Sequence, residues 1–111
     1  MNHKLNDLAI ECHDLAVEKG WYDTERSFPE LIALIHGEVS EALQVYREDN
    51  SPRSYWEDAR GKPEGVPAEL ADAIMEILSM CAFFEIDIDA ALATKMAYNR
   101  TRPYRHGNKT C

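Results

Sequence analysis

The chain has 111 residues, 20 of them acidic and 12 basic, and a formal net charge of -8. A chain of this length builds one domain, so residues 1–111 are treated as a single domain. Because acids predominate and no basic run is present, the composition argues against nucleic acid and anionic lipid as partners. No apolar run approaches the roughly 18 residues of a membrane span, and the N-terminus lacks the apolar segment of a signal peptide.

Three cysteines, Cys12, Cys81 and Cys111, are odd in number and far apart in sequence. Their spacing indicates neither a disulfide framework nor a CxxC metal site. Cys12 and Cys81 fall on apolar helix faces, which favours small core residues over metal ligands. Reduced thiols are typical of the cytoplasm, and we expect the protein to be cytoplasmic.

The first half of the chain predicts two amphipathic helices. Apolar residues recur at spacings of three and four from about His3 to Lys19, and Gly20 is a stop signal. Ser27 is a candidate N-cap for the second helix, which carries Pro29 in its first turn and ends near Asp49.

Residues 50–65 are rich in Pro, Gly and charge and predict a long loop. A third helix follows from Val66 to about Glu85; it is apolar over most of its circumference and should be the central, most buried helix. Asp87 or Asp89 is the candidate N-cap of a fourth helix, and residues 103–111 are expected to form a flexible tail. No strand pattern is evident, so the sequence predicts an all-α bundle of four helices.

Glu38 stands in the middle of the apolar stripe of the second helix, and Glu41 borders that stripe. Burying an unpaired carboxylate costs several kcal/mol, so these groups need a cation, hydrogen-bond donors or protonation. The third helix repeats the pattern with Glu69, Asp72 and Glu76 on one face. Glu69 has a plainer alternative, because it lies in a first helical turn, where the helix dipole favours a carboxylate.

Carboxylates that project from two facing helices form a site for a hard cation, so we expect Mg²⁺ or Mn²⁺ rather than zinc. Di-iron bundles require Glu-x-x-His pairs, and the sequence has none. On the fourth helix, Lys95, Asn99 and Arg102 recur at four and three, on the side that is predicted to face inward. They could bind phosphate oxygens or form salt bridges with the acids of the third helix.

The segment Glu38-Val39-Ser40-Glu41, followed after 27 residues by Glu69-Leu70-Ala71-Asp72, resembles the ExxE and ExxD signature of the MazG-like all-α nucleotide pyrophosphohydrolases. KPEGVPAELADAIMEIL and IDIDAALATKMAYNRTRPYRHG are similar to the third and fourth helices of that superfamily. The resemblance covers roughly residues 31–106. Helix one and the loop 50–65 match no part of the family pattern.

The resemblance implies that Glu38, Glu41, Glu69 and Asp72 bind Mg²⁺ and that a nucleoside triphosphate is cleaved to the monophosphate and pyrophosphate. It implies phosphate contacts for Lys95 and Asn99, with Arg102 as a further candidate. Glu38 and Glu41 are the candidate catalytic residues, and Glu41 is a candidate to orient the attacking water.

Trp21, just after the first helix, is a candidate to stack on the base, or else an anchor for the core. We expect a house-cleaning enzyme that removes non-standard or surplus nucleotides. The alternatives are an activity like that of the dUTPases or of phosphoribosyl-ATP pyrophosphohydrolase, and a catalytically silent helical interaction module. The short chain and the broadly apolar third helix indicate a homodimer or homotetramer.

Overall fold

A computed structural model describes residues 5–104. Its elements are α1 (Leu5–Glu18), α2 (Phe28–Asp49), β1 (Trp56–Glu57), β2 (Pro63–Glu64), α3 (Val66–Phe83) and α4 (Ile88–Thr101). The prediction of an all-α chain with four principal helices is confirmed. The predicted start of helix one at His3 and all of the predicted tail after Tyr104, including Cys111, lie outside the described residues. Within residues 5–104, no helix has both the length and the hydropathy that a bilayer span requires.

The capping and stop residues that the sequence predicted lie at the ends of the helices. Gly20 has φ 89°, and the N–H of Trp21 donates to the carbonyl of Ala16, which closes the end of α1. Ser27 caps α2 by accepting a hydrogen bond from the N–H of Glu30. Asp87, one of the two predicted candidates, caps α4 by accepting from the N–H of Ala90.

The expectation that the chain contains no strand was wrong over four residues. β1 and β2 pair antiparallel within the predicted loop, with Trp56 opposite Glu64. Asp58 forms the turn between them, because its carboxylate accepts hydrogen bonds from the N–H groups of Arg60 and Lys62 at 2.8 and 3.0 Å. Strands of two residues are too short to show alternating hydrophobicity, so periodicity could not reveal them.

Gly65 joins this hairpin to α3 and has to be a glycine. Its φ is 112°, and an added Cβ would lie 2.1 Å from the carbonyl oxygen of Ser54. The backbone therefore passes so close to residues 54–55 that no side chain fits. The hairpin is consequently fixed against the start of α3.

Helix α3 is the central helix, as predicted. Both α1 and α2 pack against it, and it has more buried residues than any other helix of the described chain. Cys12 of α1 packs with Leu78 of α3 in the main apolar cluster, and Cys81 is also buried. The prediction that these two thiols belong to the core is confirmed, and burial raises the pKa of both.

Helix α2 runs antiparallel to α3. Phe28, at the start of α2, stacks edge-on against Phe84, which follows the end of α3, with ring centroids 5.4 Å apart. Near the other end of the pair, Glu41 of α2 lies close to Glu69 in the first turn of α3. The antiparallel packing therefore brings the ExxE segment of α2 beside the ExxD segment of α3.

Helix α4 is attached through its first turn. Asn6 of α1 donates from Nδ2 to Asp87 at 2.8 Å, and its Oδ1 accepts from the N–H groups of Ile88 and Asp89 at 3.0 and 3.4 Å. Beyond this turn the helix projects from the rest of the chain, and none of its residues is buried. The expectation that α4 packs alongside the other three helices in one bundle stays a prediction.

The single chain is not closely packed as a whole. Its Cα radius of gyration is 16.6 Å, whereas a compact domain of about 100 residues has a radius of roughly 13 Å. Within the described chain, no large side chain is fully buried. Apolar side chains on all four helices remain more than one third exposed, among them Leu15, Leu43, Ile74 and Met96.

Candidate functional site

Three carboxylates from α2 and α3 converge at one place, which we call the acid cluster. Glu38, Glu41 and Glu69 each offer an oxygen, and these oxygens all lie within 4.8 Å of one another. Glu69 is only 8% exposed, Glu38 is half-buried and Glu41 faces solvent. The cluster therefore spans from the buried interface between the helices to the surface.

Local helical geometry explains the convergence. Residues three apart lie on the same side of a helix, so Glu38 and Glu41 project together from α2. Glu69 lies in the first turn of α3, directly across the antiparallel interface. Of the three predicted acids on α3, only Glu69 belongs to this close group; Asp72 and Glu76 do not.

Asp72 and Glu76 extend the negative charge along α3. Asp72 lines the same cavity as Glu38, although its oxygens are not in the close group of three. Its negative charge adds to the effect of burial, which raises the pKa of Glu38 and Glu69. One carboxyl oxygen of Glu76, Oε2, is buried and has no hydrogen-bond partner in the described part of the chain. Glu76 was placed on the predicted face of α3, but it was not predicted as a ligand.

Four carboxyl groups of the site, those of Glu38, Glu69, Asp72 and Glu76, have raised pKa values. Burial and the negative charges of Glu76, Glu41 and Asp72 together raise the pKa of Glu38 to about 7. Burial and like charges also raise the pKa of Glu69, Asp72 and Glu76. A bound cation would remove this repulsion, and perturbed carboxyls of this kind are typical of functional sites.

The donor set fits a hard divalent cation. It consists of carboxylate oxygens, and the described part of the chain places no cysteine or histidine in the group. Oxygen ligands of this kind suit Mg²⁺ or Mn²⁺, while zinc prefers nitrogen and sulfur. The buried, unpartnered oxygen of Glu76 is a further group that a cation, or a water bound to one, could satisfy.

Lys62, in the turn between β1 and β2, is a positive charge close to the cluster. Its charge opposes the upward pKa shifts of Glu69 and Asp72. The sequence reasoning did not select it, because the loop has no periodicity that would indicate where its side chains lie. The position of Gly65 against Ser54 is what holds the turn near α3.

A cavity of about 370 Å³ opens beside the acid cluster, between α1, α2 and α3. Glu38, Asp72 and Glu76 form its acidic end. Apolar side chains form most of the remaining wall: Cys12, Leu15, Ala16, Leu31, Leu34, Ile35 and Met75. Ligand sites typically combine such apolar walls with a few polar groups.

Trp21 and Arg26 line this cavity and contact each other. The Arg26 side chain donates from Nε to the carbonyl of Trp21 at 2.7 Å and from Nη1 to Glu30 at 2.8 Å. Its guanidinium carbon lies 5.9 Å from the centroid of the indole ring, which is within reach of a cation–π contact. Trp21 is 57% exposed, so it is not the core anchor that was considered as the alternative.

Ser79 supplies a polar group to the cavity wall. It is only 6% exposed, and its hydroxyl lies 3.2 Å from both His13 Nδ1 and the hydroxyl of Tyr22. The rings of His13 and Tyr22 meet edge-on, with centroids 4.6 Å apart. Arg26 and Ser79 were both missed in the sequence, because a single polar residue near an apolar stripe gives no periodic signal.

Lys95, Asn99 and Arg102 do not line this cavity. Lys95 and Asn99 lie on the projecting part of α4 and Arg102 at its C-terminal end, and no hydrogen bond or salt bridge within residues 5–104 joins them to the acid cluster. Lys95 and Arg102 instead flank the ring of Tyr98, at 5.9 and 5.8 Å from its centroid. One chain alone therefore brings together the predicted acids and Trp21, but not the predicted phosphate contacts.

Comparison with known proteins yields no match. No family model, no curated protein and no solved structure matches the sequence. Conclusions about function accordingly depend on the geometry of the site.

Proposed function

We propose that the protein is a Mg²⁺-dependent nucleoside triphosphate pyrophosphohydrolase, which releases a nucleoside monophosphate and pyrophosphate. One observation carries the proposal: the ExxE acids of α2 and Glu69 of the ExxD segment meet at the edge of a cavity large enough for a nucleoside. The MazG-like signature supports the same activity. The physiological role would be the removal of non-standard or surplus nucleotides from the cytoplasmic pool.

In this proposal Glu38, Glu41, Glu69 and Asp72 hold Mg²⁺, with Mn²⁺ as a possible substitute. Bound there, the ion supplies neutralisation of the triphosphate and a lowered pKa of its bound water. Glu41, the most exposed of the close group, accepts a hydrogen bond from the attacking water. The buried Glu69 and half-buried Glu38 act as fixed oxygen ligands, since the helices on both sides restrict them.

The apolar cavity binds the nucleoside. Trp21 stacks on the base, and Arg26 restricts the indole ring through its hydrogen bond to the backbone carbonyl of Trp21 and its contact with the ring. Stacking of a base on an aromatic side chain contributes about 1–3 kcal/mol and tolerates different bases. Lys95, Asn99 and Arg102 bind the phosphates, and the working protein is a homodimer or homotetramer.

The test is incubation with canonical and modified nucleoside triphosphates plus Mg²⁺, with pyrophosphate and orthophosphate measured separately. We expect pyrophosphate and the monophosphate in equal amounts. Orthophosphate as the sole product would contradict the reaction type. Absence of turnover with every nucleotide, together with no Mg²⁺ binding by calorimetry, would favour the silent interaction module. Activity restricted to dUTP or to phosphoribosyl-ATP would select one of the narrower alternatives.

A further inference from the structure

Two residues with hydroxyl groups line the cavity beyond its acidic end. One is Ser79 of α3, and the other is Tyr22, which follows the end of α1. Asp72, at the acidic end, and Ser79 are seven residues apart in sequence. They therefore lie on the same face of α3, about 10 Å apart along its axis, and mark opposite ends of one cavity wall.

The spacing of these two ends is comparable to the length of a nucleoside from its 5′ oxygen to the far edge of its base. In the proposed function the acid cluster holds the phosphates, and the sugar and then the base extend from them along the cavity. Trp21, the proposed stacking partner, directly precedes Tyr22 in the chain. A base that stacks on Trp21 therefore brings its far edge toward Tyr22 and Ser79.

The hydroxyl of Ser79 is held by two rings that are themselves packed in place. Its oxygen lies 3.2 Å from both His13 Nδ1 and the hydroxyl of Tyr22. The rings of His13 and Tyr22 contact each other, and both contact Phe83, with ring centroids 5.6 and 4.7 Å from it. Aromatic packing thus fixes the three polar groups before any ligand binds, which lowers the ordering cost of binding.

Ser79 has hydrogen-bonding capacity that these two neighbours do not use. A serine hydroxyl has one hydrogen to donate and two lone pairs that accept. His13 and Tyr22 engage two of these three positions. If both donate to Ser79, its hydrogen is free to donate; if Ser79 donates to one of them, a lone pair is free to accept. In either state the cavity wall offers one polar position to a ligand.

We propose that Ser79 binds the exocyclic amino or keto group at C4 of a pyrimidine or C6 of a purine, and that His13 and Tyr22 are positioning residues for its hydroxyl. The inference deepens the proposed function and rests on it, because the acid cluster has to hold the phosphates for the base to reach Ser79. Since the hydroxyl can donate or accept, the site selects for the presence of the exocyclic group rather than for amino over keto.

Substrate analogues that lack the exocyclic group test this contact. ATP is compared with purine riboside triphosphate, and CTP with 2-pyrimidinone riboside triphosphate; in both analogues hydrogen replaces the amino group. In the wild type, kcat/KM should be about tenfold higher for each parent nucleotide, as expected for one neutral hydrogen bond. Equal kcat/KM for parent and analogue would overturn the proposal.

Variants assign the selectivity to the hydroxyl. Ser79→Ala should bring the ratio of kcat/KM between parent and analogue close to one and leave the analogue's own value unchanged, whereas a loss of structure would lower both values alike. Tyr22→Phe keeps the ring packing, removes one partner of the hydroxyl and should lower the ratio in part. Ser40→Ala, on the exposed side of α2, is the matched control and should keep the wild-type ratio. A wild-type ratio in both Ser79→Ala and Tyr22→Phe would overturn the proposal.

A second measurement does not depend on activity. Adenosine and purine riboside are titrated into the Trp56→Phe protein without Mg²⁺, and binding is followed by quenching of Trp21, the tryptophan that remains. Adenosine should bind about tenfold more tightly, and the added change Ser79→Ala should remove the difference. Equal binding of the two nucleosides, or none, would overturn the proposal. Selective binding in a protein that releases no pyrophosphate would retain the base contact and reject the proposed function; pyrophosphate release without selectivity would do the reverse.

Discussion

Glu38 of α2 and Glu76 of α3 both line the acidic end of the cavity between the helices, and the negative charge of Glu76 adds to burial in raising the pKa of Glu38. A proton on Glu38 relieves the repulsion between the two carboxyl groups, and a bound cation would relieve it instead. Both the activity and the stability of the protein should therefore depend on Glu38.

Replacing Glu38 with Gln should abolish Mg²⁺-dependent turnover and leave the fold intact. The amide removes one of several crowded negative charges, so the metal-free variant should be more stable at pH 8 than the wild type, by on the order of 1 kcal/mol. Pyrophosphate release and thermal melting measure the two effects. Glu48→Gln, the same change on α2 outside the cluster, is the matched control. Near-normal turnover of Glu38→Gln would show that the metal is held elsewhere.

The metal-free protein should lose stability as the pH rises from 4.5 to about 7. Over this range the folded state keeps the proton on Glu38 while the unfolded chain, with a carboxyl pKa near 4.5, releases it. Melting temperatures across this range, with Glu38→Gln as reference, measure the slope. Hydrogen bonds lower the pKa of Asp58 and Asp87, so these two groups change the stability only at lower pH, outside the range in which Glu38 has its effect. An equal slope in both proteins would contradict this assignment of the proton.

Added Mg²⁺ should raise the melting temperature, most strongly above pH 7, where the carboxylates are ionised. At one hundred times the Kd the gain in unfolding free energy is about 2.7 kcal/mol. Glu69→Gln should remove most of the gain, while Glu57→Gln in the hairpin should keep it. A gain of the same size in Glu69→Gln would place the ion outside the acid cluster.

Trp21→Ala should raise KM for the nucleotide by roughly tenfold or more, because a stacked base loses about 1–3 kcal/mol of contact. The Mg²⁺ shift in melting temperature should be retained, since the acids are untouched. Trp56→Ala is the matched control: this second tryptophan is also exposed but does not line the cavity. Steady-state kinetics of both variants measure the effect. An unchanged KM in Trp21→Ala would show that the base does not stack on Trp21.

Two glycine substitutions should have opposite effects on stability. Gly65→Ala would drive a Cβ into the carbonyl of Ser54 and should destabilise the protein by more than about 1 kcal/mol. Gly37→Ala, inside α2, meets no atom within 4 Å and should stabilise by about 0.5–1 kcal/mol. Urea denaturation measures both. Equal stability of the two variants would mean that the hairpin is not fixed against α3.

Periodicity predicted the parts of the molecule that repeat along a helix. It located all four helices and singled out Glu38, because a charged residue within an apolar stripe breaks the pattern. Lys62, Arg26 and Ser79 escaped prediction, since each reaches the site from a loop or as a single polar residue. Tertiary placement, not local pattern, decides where such side chains lie.

Helix α4 is a second case in which residue spacing does not predict tertiary placement. Its spacing correctly predicted that Lys95 and Asn99 share a face with Leu92, but spacing alone cannot say which surface that face meets. The single chain leaves the face open. The prediction that Lys95 and Asn99 face inward is therefore not met within residues 5–104 of one chain.

The contact of Asn6 with the first turn of α4 joins parts of the chain that are more than eighty residues apart in sequence. The direction in which α4 leaves the body of the protein is consequently set by α1, near the beginning of the chain. Any tag, truncation or fusion that disturbs the first turn of α1 would therefore change the orientation of α4.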